Sequence, residues 1–146
     1  MKVVIDTSVI MSALMSSKGR VADVLMNPLN DFEKYSCYFM QVEIFKHKQK
    51  ILKYSKLEEA DLLEIVYLTL KKLMLVNETQ ISSENWKVAD DLTKGVDSKD
   101  IAFVALSIEL DATLWTLDKK LQDHLIEKGF TKVVNTYELE QLFHGK

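Results

Sequence analysis

The chain has 146 residues, 47% apolar and 28% charged, with a formal net charge of −3. That length is one domain, able to bury roughly 68–70% of the surface its unfolded form exposes, and the composition is ordinary for a soluble globular protein. The negative balance argues against a nucleic-acid coat protein, whose affinity comes from neutralising phosphates. An enzyme acting on nucleic acid is not excluded, because local charge matters more than the total. Cys37 is the only cysteine, which rules out an intrachain disulfide and a thiolate zinc cage. No run approaches the roughly 18 apolar residues of a membrane span. Met1-Lys2-Val3-Val4-Ile5-Asp6 is too short an apolar run for a signal peptide, so a cytoplasmic location is expected.

Lys2 to Ile5 reads as a strand apolar on both faces, as a central parallel strand should be. Asp6-Thr7-Ser8 ends it and can cap a helix carrying Val9, Ile10, Ala13 and Leu14. Arg20 to Met26 is a second short helix, stopped by Asn27-Pro28. Tyr35 to Phe39 predicts an aromatic strand in which Cys37 is a buried filler. Gln41 to about Tyr54 and Leu57 to Leu73 predict two helices, and Met74-Leu75-Val76 a short strand. A helix from Ser82 or Ser83 to Leu92 is closed by Gly95.

The next helix is preceded by Asp97-Ser98-Lys99-Asp100. Its Ile101, Val104, Ala105 and Ile108 recur at helical spacing. Asp97 or Ser98 can cap it. Ala112 to Leu117 is a strand ending at Asp118, Lys119 to Glu127 a helix stopped by Lys128-Gly129, Lys132 to Val134 a last strand, and Thr136 opens a terminal helix. Alternation of this kind predicts an α/β fold, a sandwich around a mainly parallel central sheet.

Asp6 and Asp118 each follow directly on a predicted strand, Glu43 follows the second strand, and Asp100 begins the helix before the Asp118 strand. Ligands of open parallel sheets bind beyond the carboxyl ends of the strands. Each acid taken alone is equally a helix cap, worth about 1 kcal/mol. Gathered together they differ, because two carboxylates about 5 Å apart repel by roughly 3 kcal/mol at an effective dielectric of 20. A cation would relieve that repulsion, and an oxygen-only donor set suits Mg²⁺ or Mn²⁺.

Val3-Val4-Ile5-Asp6-Thr7-Ser8-Val9, Glu43, Asp100-Ile101-Ala102-Phe103-Val104-Ala105-Leu106 and Asp111-Ala112-Thr113-Leu114-Trp115-Thr116-Leu117-Asp118-Lys119-Lys120-Leu121 occur in that order. The ordered set resembles the PIN domain family of metal-dependent ribonucleases, which includes many toxins of toxin–antitoxin pairs. The resemblance implies a three-layer α/β/α sandwich in which Asp6, Asp100 and Asp118 bind Mg²⁺ or Mn²⁺ directly or through water, with Glu43 completing the site through water. It implies hydrolysis of RNA, an antitoxin partner and a homodimer.

Asp97 stands where some branches carry an extra acid, and is otherwise a helix cap. Thr7, Ser8 and Thr116 resemble the small hydroxyl residues that line such sites; a strand-end or capping role is the alternative. Leu117 departs from many relatives, which carry a polar, charged or glycine residue there.

Lys46, Lys48 and Lys50 follow Glu43 closely and could contact RNA phosphates in a salt-sensitive, sequence-independent way. A solvated helix face explains them equally well. His47 would share a helix face with Glu43, with a structural or surface histidine as the other reading. Trp86 and Trp115 read as core residues, although an exposed Trp86 could stack on a base. Two other readings are open: a non-cleaving PIN-like module that binds RNA or protein, and a receiver-like domain that accepts phosphate on an aspartate.

Overall fold

The computed structural model describes residues 1–96 and 98–144. Val3, Val4 and Ile5 are wholly buried, as a strand covered on both faces requires. They belong to β1 (Lys2–Ile5), the middle strand of a five-stranded sheet of order β3-β2-β1-β4-β5, with β2 (Glu33–Cys37), β3 (Met74–Val76), β4 (Thr113–Trp115) and β5 (Val133–Val134). Every pairing is parallel, and Val4 of β1 sits opposite Tyr35 on one side and Leu114 on the other. Parallel neighbours need long crossovers, which the helices supply.

The helices are α1 (Thr7–Met15), α2 (Arg20–Met26), α3 (Phe39–Lys46), α4 (Lys48–Ser55), α5 (Glu59–Lys71), α6 (Ser83–Thr93), α7 (Ile101–Leu110), α8 (Lys119–Glu127) and α9 (Thr136–His144). Residues Phe103 to Ser107 of α7 are all buried. A helix apolar nearly all round must be enclosed, and α7 lies against β1, β2 and β4 with α6 packed over it. Helix α1 packs with α2, α3, α4 and α5 as the other helical layer, making the expected three-layer sandwich. Gly95 and Gly129 both take φ of 95°, a left-handed value that glycine adopts without strain at a helix exit. Among the described residues no helix is long and apolar enough to cross a membrane.

The structure departs from the sequence reading in several places. The second strand runs Glu33–Cys37 rather than Tyr35 to Phe39, because Tyr38 turns into helical geometry and Phe39 opens α3. The helix expected from Gln41 to Tyr54 is two helices, broken at His47 (φ −104°, ψ 15°). No proline or glycine marks that break; packing overrides propensity, since the bend lets α4 bury Ile51 while it lies against α1. Glu43 lies in the second turn of α3, and His47, one turn further on, still donates its N–H to the Glu43 carbonyl (3.1 Å) before the chain bends. Helix α5 is shorter than expected, and its Leu63 is 58% exposed. A 3₁₀ turn, Ser98–Asp100, precedes α7, and Asp100 stands at the cap position without a side-chain cap hydrogen bond. Asp97 lies outside the described residues.

Candidate active site

Strand β1 has β2 on one side and β4 on the other, so the connections leave it in opposite directions and a crevice opens at the strand ends between β1 and β4. Asp6 is the first residue beyond β1, and its N–H donates to the Trp115 carbonyl at the end of β4 (3.1 Å). Asp6, Thr7, Ser8, Met11, Glu43, Lys99, Asp100 and Asp118 line one cleft of about 200 Å³ there.

Asp6 is 3% exposed and occupies the position before α1, yet its side chain makes no cap hydrogen bond. Its Oδ2 instead accepts from the Thr116 hydroxyl (2.6 Å) and the Ser8 hydroxyl (2.9 Å). Burial drives its pKa up from the ordinary 3.8, against the Thr116 and Ser8 hydroxyls and the nearby amides of Thr7 and Ser8. Thr7, itself buried, donates to Glu43 Oε1 (2.8 Å). Glu43 is likewise raised above its ordinary 4.5, by burial first and then by the Asp6 charge, while Thr7, Lys99 and His47 pull the other way.

The two remaining acids are placed by helix starts. Asp118 is exposed and does cap: its Oδ1 accepts from the Leu121 N–H (3.1 Å). Thr116 and Ser8 knit the rim, accepting from the N–H groups of Asp118 and Leu117 respectively (3.1 Å each). Asp100 enters the cleft from the start of α7.

Several sequence-level candidates fall elsewhere. Lys46, Lys48 and Lys50 do not line this cleft. Lys48 pairs with Glu59 (2.6 Å), and Lys50 lines a separate groove with Ser12, Met15, Ser16 and Tyr54. The cation that does line it is Lys99, missed although it sits between Asp97 and Asp100 in sequence. Cys37 is fully buried, and its thiol is pushed up to about 12 by burial and then by Glu78, Glu43 and Asp6. It is neither a ligand nor a nucleophile at neutral pH.

The donor chemistry suits a hard cation. The carboxylates are all oxygen donors, two are held above their ordinary pKa values by burial, and no thiolate competes. Among the described residues no three His, Cys, Asp or Glu side chains form a ready-made metal cage. Carboxylate oxygens around a cleft are the donor type that hard divalent cations take, with water completing the coordination.

A family model described as "PIN domain" matches residues 4–139. No curated protein sequence matches the chain. Among solved structures, the fold is similar to that in "VapBC2 from Rickettsia felis bound to a DNA fragment from their promoter", with TM-score 0.68 at 13% identity over 92% of this chain and 98% of that one. It is also similar to PAE2754 from Pyrobaculum aerophilum, with TM-score 0.66 at 12% identity over 100% and 91%. VapBC-1 from nontypeable Haemophilus influenzae gives TM-score 0.65 at 13% identity over 94% and 99%. At such identities the likeness concerns the fold alone.

Proposed function

This chain belongs to the PIN domain family, a family of nucleases in general, and from that premise we propose that it is an endoribonuclease dependent on Mg²⁺ or Mn²⁺. The observation that carries the reading is the meeting of Asp6, Glu43, Asp100 and Asp118 on one cleft at the strand ends. Asp6, Asp100 and Asp118 would hold the ion directly or through water, and Glu43 through water. A divalent ion there supplies Lewis-acid charge, which acidifies water and stabilises negative charge building on a phosphodiester.

The chain's own part is positional. Thr116 and Ser8 aim Asp6, the α8 cap fixes Asp118, and Thr7 fixes Glu43. Holding these groups before the substrate arrives leaves less to reorganise as charge develops.

The narrower part of the proposal is that the protein is the cytoplasmic toxin of a toxin–antitoxin pair. Its support is the fold likeness to VapBC proteins together with an apolar groove between α3, α4 and α5, where Phe45 is 75% exposed above Ile44, Ile51, Leu62 and Val66. An antitoxin segment would cover that groove, and Tyr67 and Leu68, exposed farther along α5, would meet a second copy in a homodimer.

The test is cleavage of single-stranded RNA by the purified chain. Mn²⁺ should support it and EDTA should abolish it. Asp6→Ala and Asp100→Ala should lower the rate at least about a hundredfold, on the scale of losing a charge-stabilising group, with circular dichroism unchanged. Cleavage that survives EDTA or either substitution refutes the reading.

A further inference from the structure

A second, larger depression of about 790 Å³ opens beside the acidic cleft, lined by Phe39, Glu78, Trp86, Lys87, Asp90, Lys99, Ile101 and Ala102. Lys99 lines both, and Ile101 of the larger one follows directly on Asp100 of the cleft, so the two adjoin at the start of α7. We propose that this groove holds the single-stranded RNA next to the scissile bond, with Trp86 and Phe39 stacking on bases and Lys87 and Lys99 contacting phosphates. The inference rests on the nuclease reading of the adjoining cleft.

Aromatic faces and cations interleave here as a flexible polynucleotide needs. Phe39 is 39% exposed at the start of α3, Trp86 is half-buried on α6, and Lys87 beside it is exposed. The volume falls within the roughly 300–1,000 Å³ of pockets that enclose organic ligands, room for a nucleobase and its phosphate. The two lysines face two acids. Glu78 is already engaged, accepting from the Tyr38 N–H (2.9 Å), and Asp90 lies one helical turn from Lys87 on α6.

Charge in the groove is therefore close to balanced, and stacking supplies most of the hold. Stacking needs an open base face, which a duplex keeps hidden between its own base pairs. Single strands are thus selected over duplex. A protein segment seated on the same aromatics is the competing occupant.

Trp86 reports on its own occupancy, because Trp115, the other tryptophan, is wholly buried. The full-length protein in EDTA, titrated with short oligouridylate, should show saturable quenching of tryptophan fluorescence, and the matching duplex should show little. With a labelled oligouridylate followed by anisotropy, Trp86→Leu should weaken binding roughly five- to one-hundred-fold, the scale of one stacked base. Lys87→Glu, on an exposed helix surface, should weaken it and reduce the salt slope by roughly 0.7, the share of one phosphate on a single strand. In Mn²⁺ the loss of cleavage efficiency in both variants should be carried mainly by KM.

Absent quenching, or unchanged affinity in a folded Trp86→Leu or Lys87→Glu, overturns the groove assignment even where wild-type protein cleaves RNA. Quenching and variant effects without any cleavage would uphold the groove as an RNA site and overturn only the nuclease reading. Competition of a peptide, rather than RNA, for Trp86 would assign the groove to a protein partner and overturn the proposal.

Discussion

The Thr116 hydroxyl donates to Asp6 Oδ2 across 2.6 Å, although 110 residues separate the two in sequence. The Thr116 hydroxyl oxygen also accepts from the Asp118 N–H at 3.1 Å, so one small side chain references both acids to each other. Thr116→Val keeps the shape and removes both bonds. Stability should fall by roughly 1–3 kcal/mol in urea unfolding, the penalty of stranding buried polar groups. The Asp6 pKa should rise further, moving the acid limb of the cleavage pH profile to higher pH, and Thr116→Ser should restore it.

The raised carboxyls of Asp6 and Glu43 have a defined sign in stability. The folded, metal-free protein binds protons at these sites more tightly than the unfolded chain does. Their contribution is thus greatest below the ordinary values of 3.8 and 4.5 and is lost as pH rises through the raised ones. Mn²⁺ should return it at neutral pH, by about 2.7 kcal/mol at a hundred times its dissociation constant, and progressively less on acidification, because protons compete with the ion. Thermal unfolding against pH, with and without Mn²⁺, measures both effects.

Asp6→Asn should stabilise the metal-free protein at pH 7 by roughly 0.5–2 kcal/mol, the usual gain when a functional strain is relieved. Thermal unfolding with Mn²⁺ added should then show no further rise. Destabilisation by Asp6→Asn would mean that the carboxylate is structural.

Asp118 caps α8, and the proposed function gives it a second duty at the metal. Asp118→Asn retains a good cap for α8, while Asp118→Ala loses it at about 1 kcal/mol. Both variants should abolish cleavage, but only the alanine should lower the denaturant midpoint.

Glu43→Gln can still accept from Thr7 while losing its charge. Metal-dependent cleavage should drop roughly 10–100-fold, the range for residues that support a metal site from outside its direct ligands. Chevron or melting data should show the fold unchanged, which separates this loss from unfolding.

Much of the architecture is visible in short windows of sequence. The β-branched run before Asp6, the apolar α7 and the glycine exits at Gly95 and Gly129 each act within a few residues, and each element appears where its local pattern places it. The break at His47 and the early start of α3 at Phe39 leave no such trace, since both are set by what α4 and α3 pack against. Lys46, Lys48 and Lys50 follow Glu43 in the chain, yet Lys99, from another part of it, lines the acidic cleft.

By itself the sequence determined the alternation of strands and helices and the placing of Asp6 and Asp118 just beyond two of the strands, because periodicity and junctions are properties of neighbouring residues. Only the tertiary structure decided which acids act as caps. Asp6 and Asp118 hold the same position before a helix, but Asp118 faces solvent and bonds its own helix, whereas Asp6 is buried where a hydroxyl from β4's exit outcompetes the cap. That competition depends on which chain segments burial brings together, and no window of sequence contains both of them.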